Sequence, residues 1–202
     1  MLAAAKHYPG RGNVEPRPAQ PLFTMIKKSV PQMESEDLAA FKKAIEAGVP
    51  LVMTEHIVVP SLTDGSDFLA SAERKLATGW LREKLGFQGI LTTDELWYEH
   101  VINRFGPVEV GVKALQAGHD LLLKPRDASA MIRGIVEAVR AGQVSEAHIN
   151  QAVRKTALLE GQATTAREPI CGRIQIQYLR RNTRSLELGA GCGGSVVDLA
   201  QE

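Results

Sequence analysis

One unit recurs four times along this chain and limits what it can fold into: a short apolar segment, a polar loop, then a stretch with apolar residues at helical spacing. The apolar segments are residues 2–5, 51–54, 89–93 and 120–123. None alternates polar with apolar, so each is expected to be covered on both faces, as the strands of a parallel sheet are. The helical stretches carry Leu38, Phe41 and Ile45; then Leu76, Trp80 and Leu85; then Val108, Val112 and Leu115; then Met131, Ile132, Ile135, Val136 and Val139. Gly48, Gly86, Gly118 and Gly142 supply stops, and Asp127 is a predicted N-cap. A further helix is predicted from Ser145 through Ile149 and Val153. Strand–loop–helix order with short returning turns predicts right-handed parallel β/α units. The expected fold is therefore α/β: a partial TIM (β/α) barrel of about four units over residues 1–160. An irregular, poorly packed tail is expected over 161–202, where no period is sustained.

In such a barrel every strand ends on one rim, where loops build the site. The first apolar segment runs into Lys6-His7, the second into Glu55-His56, the third into Thr93-Asp94-Glu95 and the fourth into Lys124. A strand that meets water often turns polar, and that reading is enough for Lys124 and serves equally well for Glu55. Four ionisable ends on one rim predict a shared pocket. The loops over 9–34 and 60–70, rich in Pro, Gly, Ser and Asp, are its expected walls.

Four blocks give the rim a family resemblance. Lys6-His7-Tyr8-Pro9-Gly10-Arg11-Gly12 is similar to the Lys-His-Phe-Pro-Gly-x-Gly signature of family 3 glycoside hydrolases. The run from Val52 to Pro60 resembles that family's next strand, the run from Leu85 to Asp94 the segment entering its nucleophile, and the run from Ala114 to Leu123 its final barrel strand. The resemblance implies that Asp94 is the nucleophile of a retaining glycosidase acting on β-linked glucosides or N-acetylglucosaminides. It also implies that Lys6 and His7 bind sugar hydroxyls, which need fixed donors beside the attacking carboxylate. His56, on the same rim, is a further substrate-binding candidate. Glu95 is expected to point elsewhere, since neighbours on a strand face opposite sides.

The sequence departs from the family in two places. The loop Asn13 to Gln20 lacks the Asp–His pair that serves single-domain N-acetylglucosaminidases of the family as acid/base; Glu15 is its only carboxylate, with nothing but proximity in its favour. The family's earlier β/α units, with their sugar-binding Asp and Arg, have no counterpart here. A half barrel turns about five apolar inward side chains to water, forfeiting roughly 8–15 kcal/mol at ~1.5–3 kcal/mol each. That rivals the ~5–15 kcal/mol of a whole domain, so marginal stability or self-association through open edges is expected.

Composition narrows the remaining functions. With 44% hydrophobic and 23% charged residues, the 202-residue chain reads as globular, and a net charge of +1 offers no field for nucleic acid. No apolar run approaches the roughly 20 residues that span a bilayer, and a cytoplasmic location is the default expectation. Cys171 and Cys192 lack metal-ligand or disulfide-framework spacing, and neither metal nor cofactor is expected. Two other readings compete: an inactive fragment of such an enzyme, and a methyltransferase. The latter rests on Ser185-Leu186-Glu187-Leu188-Gly189-Ala190-Gly191-Cys192-Gly193, similar to the first motif of S-adenosylmethionine-dependent enzymes, although the chain stops before an acidic second strand.

Overall fold

The computed structural model describes residues 3–11 and 24–165. Strand β1 (Ala4–Tyr8) is followed by α1 (Val30–Gln32), which passes through a widened turn, Met33–Asp37, into α2 (Leu38–Glu46). Then come β2 (Leu51–Thr54), a π-type helix Lys75–Lys84, β3 (Ile90–Thr93), α3 (Glu99–Phe105), α4 (Glu109–Ala117), α5 (Ala128–Arg140) and α6 (Glu146–Thr165). The strands form a parallel sheet in the order β1-β2-β3. Residues 120–123 lie along β3 in the next position, through the bridge Thr92↔Leu121. This is the partial α/β barrel expected from the sequence.

Side chains as well as backbone tie the fourth segment to β3. The Leu91 N–H donates to the Asp120 carboxylate at 2.9 Å, and the Leu123 N–H donates to Thr93 Oγ1 at 3.1 Å. Backbone bonds join the same segments: the Asp120 and Leu121 N–H groups donate to Leu91 O at 2.8 and 3.1 Å, and the Thr93 N–H donates to Leu121 O at 3.1 Å. The first strand also differs from expectation: it runs three residues further than predicted, so Lys6 and His7 lie within it rather than beyond it.

Side chains on one face of the sheet, Ala5, Val52 and Leu91, share a row and pack with Phe41, Leu76 and Leu81 from the covering helices. The alternate row of Lys6, Met53 and Thr92 is exposed, half-buried and buried in turn, so that face opens toward β1. A second cluster of Val58, Leu69, Leu96, Val101, Val110 and Met131 closes the other end. Asp127 caps α5 as predicted, its carboxylate accepting the Ala130 N–H at 2.9 Å. The stripe on that helix is only half used, because Met131 is buried while Ile132 is 57% exposed. α3 fell in a stretch without an anticipated helix.

Two buried polar groups tie the layers together. His119, fully buried, donates from Nδ1 to Ala114 O at 3.0 Å and takes the Thr54 hydroxyl at Nε2, 2.8 Å away. Asp120 receives Arg82 at 2.6 Å and Lys155 at 3.3 Å, which fastens the π-type helix and α6 to the fourth segment. Gly118 ends α4 at φ +109°, where a Cβ would stand 2.6 Å from Thr78 Oγ1, so glycine is required there.

Burial holds the His119 pKa down, from 6.5 to about 3. The unfolded chain therefore takes up a proton that the native state refuses, and this contribution is complete above 6.5 and lost as pH falls toward 3. Urea unfolding at about pH 7 and about pH 4.5 should show a loss that His119→Gln reduces by roughly 2 kcal/mol. Equal losses in both chains would contradict this assignment. The exposed Ile132 and Val136 of α5 and Val153 and Leu158 of α6 predict self-association. Sedimentation equilibrium should give a mass rising above the monomer with concentration; a monomer mass throughout would refute it.

Candidate active site

Parallel rungs continue one residue past each strand and set the rim in step. The Glu55 N–H donates to Tyr8 O at 2.8 Å, and the Asp94 N–H donates to Thr54 O at 2.9 Å. The register slips between Lys6 and Tyr8, since Lys6 pairs with Met53 but Tyr8 with the very next residue, Thr54. His7 is thus an extra residue, and such a bulge re-aims a side chain. Tyr8 goes into the core, edge-on to Phe41 at 5.2 Å, with its hydroxyl donating to Leu76 O. His7 turns to the rim, its Nε2 3.7 Å from Asp94 Oδ2.

Asp94 is 9% exposed and fixed on one side, because Oδ1 accepts the Glu95 N–H at 2.8 Å. Its other oxygen faces His7 across a gap too long for a direct hydrogen bond. Glu55, also buried, stands beside them: one atom each of His7, Glu55 and Asp94 lie within 4.8 Å of one another, so the three could hold a metal ion. Arg11 Nε donates to Glu55 Oε2 at 2.6 Å, and the His56 N–H donates to Oε1 at 3.1 Å. Burial pushes the Glu55 pKa up, but those two bonds together with the nearby charges of Arg11 and His7 outweigh it and hold the carboxyl below its usual range. Burial likewise lowers the His7 pKa, with Glu55 and Asp94 opposing and Arg11 and Lys6 assisting. The Lys6 ammonium is therefore near enough to act on His7, although Lys6 itself is exposed.

His56 stands on the rim as expected, but its ring is engaged on both sides. Nδ1 meets Ser71 Oγ at 2.7 Å, and Nε2 meets Glu95 O at 3.1 Å. That leaves no ring nitrogen for a sugar hydroxyl, and His56 acts as a brace between β2 and the Asp94 turn. Glu95 does point elsewhere, pairing with Lys124 at 3.1 Å and with the Trp97 indole N–H. An aromatic row follows, with Tyr98 6.1 Å from His56 and Trp97 stacked on Tyr98 at 6.0 Å. Sequence reading missed Arg11 and this row. Arg11 fills the variable position of the Pro-Gly-x-Gly motif, and nothing in the chain marked it as the partner of a residue 44 positions away. The tail expected from residue 161 starts instead as the last turn of α6, which runs to Thr165; the rest of it, the loop with Glu15, both cysteines and the methyltransferase-like motif lie outside the described residues.

Residues 1–159 match the family model described as the glycosyl hydrolase family 3 N terminal domain. A secreted glycosyl hydrolase of Arthroderma benhamiae, named uncharacterized, is 30% identical over 165 residues, covering 79% of this chain and 46% of that protein. A beta-hexosaminidase of Chromobacterium violaceum is 30% identical over 138 residues, 67% of this chain and 38% of that one. The solved family 3 beta-N-acetylglucosaminidase of a Paenibacillus species superposes with a TM-score of 0.74 at 24% identity, over 98% of this chain and 35% of that one. This chain spans less than half the length of these relatives. Among the described residues no helix is long and apolar enough to cross a membrane.

The Arg11–Glu55 pair makes a sharp expectation. Arg11→Ala removes the stronger of the two contacts that hold the carboxylate charged but leaves its burial, so the Glu55 pKa should rise. Carbon NMR titration of the Glu55 carboxyl reads this directly; an unchanged midpoint would remove Arg11 from the site's electrostatics.

Proposed function

This chain belongs to glycosyl hydrolase family 3, and from that membership we propose that it hydrolyses β-linked sugars, N-acetylglucosaminides first among them, by a retaining route. The observation that carries the reading is the rim pair itself. A buried carboxylate with one oxygen fixed by a backbone N–H presents the other across 3.7 Å to an imidazole. A sugar hydroxyl seated beside the line joining His7 and Asp94 can hydrogen-bond both, which brings the sugar ring to Oδ2. The relatives named beta-hexosaminidase and beta-N-acetylglucosaminidase favour the N-acetylated sugar over glucose.

In the proposed first step Asp94 Oδ2 attacks the anomeric carbon, the bond to the leaving oxygen breaks, and that oxygen takes a proton from the acid. Water then attacks the same carbon and gives a proton back to the group that acted as acid, the bond to Asp94 breaks, and the carboxylate and the free sugar are returned. Lys6 and His7 hold the hydroxyls as fixed donors. Retaining pairs place their carboxyl groups ~5–5.5 Å apart, and Glu55 is the buried carboxylate beside Asp94, an oxygen of each lying within 4.8 Å of the other. Glu55 is nevertheless a poor acid as placed, because Arg11 keeps it charged. It serves instead to anchor Arg11 beside the sugar.

Release of an aryl N-acetyl-β-glucosaminide should fall by about 10³-fold or more in Asp94→Asn, with the fold checked by circular dichroism. Release unchanged by that substitution would remove Asp94 from the chemistry. An aryl β-glucoside turned over faster than the N-acetylated substrate would overturn the choice of sugar.

A further inference from the structure

The His7–Asp94 gap has a second natural occupant. Zinc bonds to nitrogen and oxygen run ~2.0–2.2 Å, so two ligand atoms on one ion stand roughly 3.3–3.7 Å apart as the angle between them widens. His7 Nε2 and Asp94 Oδ2 stand at 3.7 Å, and a Glu55 oxygen lies within 4.8 Å of both, so a small inward swing of Glu55 completes a three-cornered set. We infer that His7, Glu55 and Asp94 form a binding site for a Zn²⁺-class divalent cation that blocks the proposed hydrolysis reversibly by occupying the nucleophile. The inhibitory consequence rests on reading Asp94 as the nucleophile; the binding itself does not.

The chemistry of the set favours zinc over magnesium. One imidazole nitrogen and two carboxylate oxygens suit a borderline ion with an open fourth position for water. Magnesium requires six oxygens and parts with its waters reluctantly. Two of the three ligands are already oriented from behind: the Glu95 N–H holds Asp94 Oδ1, and the His56 N–H holds Glu55 Oε1. Such outer contacts fix a metal ligand before the ion arrives. Both carboxylates are buried, so a cation between them replaces charge that water reaches poorly. Arg11 opposes it by holding Glu55 Oε2, and its guanidinium, 42% exposed, must share or release that carboxylate. The ion would use the Oδ2 lone pair that attack on the anomeric carbon requires, so cation and sugar exclude each other.

Calorimetric titration of the chelator-treated chain with zinc chloride tests this, with magnesium chloride as the control. One zinc per chain should bind and magnesium should not. His7→Ala and Glu55→Gln should each weaken binding by about tenfold or more, while Arg11→Ala should tighten it by freeing Glu55. In the unaltered chain, zinc should shift the His7 ring nitrogens in NMR and leave those of His56 and His119 in place, a readout that needs no variant to fold. Absence of zinc binding, shifts that bypass His7, or weaker binding in Arg11→Ala would each overturn the site. Glycoside release in chelator separates the two readings. Hydrolysis that added zinc leaves untouched removes this inference alone, whereas zinc binding at His7 with release indifferent to Asp94→Asn removes the hydrolytic one alone.

Discussion

The backbone rungs that run on past the strand ends carry everything else in this molecule. Tyr8 O receives the Glu55 N–H, and Thr54 O receives the Asp94 N–H. These two bonds fix three strand ends in one line, at the spacing of neighbouring strands, about 4.8 Å. Side chains leaving such a line converge without any further device, which is how two carboxylates and an imidazole come within one ion's reach. Without that register, a sequence bearing the same residues would scatter them along three separate loops.

Electrostatics then decide what each converged group can do. Buried carboxylates are costly unless paired or hydrogen-bonded. Glu55 meets that cost with Arg11 and the His56 amide, whereas Asp94 meets it with a single backbone N–H and keeps one oxygen turned to the rim. In the proposed mechanism the more fully satisfied carboxylate is the positioning one, and the less satisfied is the reactive one. Far from the rim, Asp120 performs purely structural work with Arg82, Lys155 and the Leu91 amide. The contrast shows how one residue type divides between scaffold and chemistry according to its neighbours.

Much of this was legible in the chain. Four apolar runs bounded by helix-stopping glycines located the parallel segments, and the ionisable ends located the rim, because both signals are local. The Asp127 cap was legible for the same reason. What escaped depended on contacts distant in sequence. The bulge at His7 is set by pairing with Met53 and Thr54, and apolar patterning cannot register one extra residue on the partner side. Arg11 finds Glu55 only through the fold. Periodicity also overstated the burial of α5: Ile132 shares the helical stripe with Met131, yet what covers a stripe depends on the neighbouring elements. His56 was read from its place on the rim, while its role follows from Ser71 and the Glu95 carbonyl, neither marked by any motif.

The central claim is that the open oxygen of Asp94 forms the covalent bond to sugar. Incubation with a slowly released fluorinated N-acetylglucosaminyl donor, followed by peptide mapping in the mass spectrometer, tests it most directly. The account predicts a glycosyl adduct on the peptide bearing Asp94, absent from Asp94→Asn. An adduct on Glu55 or Glu95, or turnover of substrate with no adduct on any carboxylate, would contradict it.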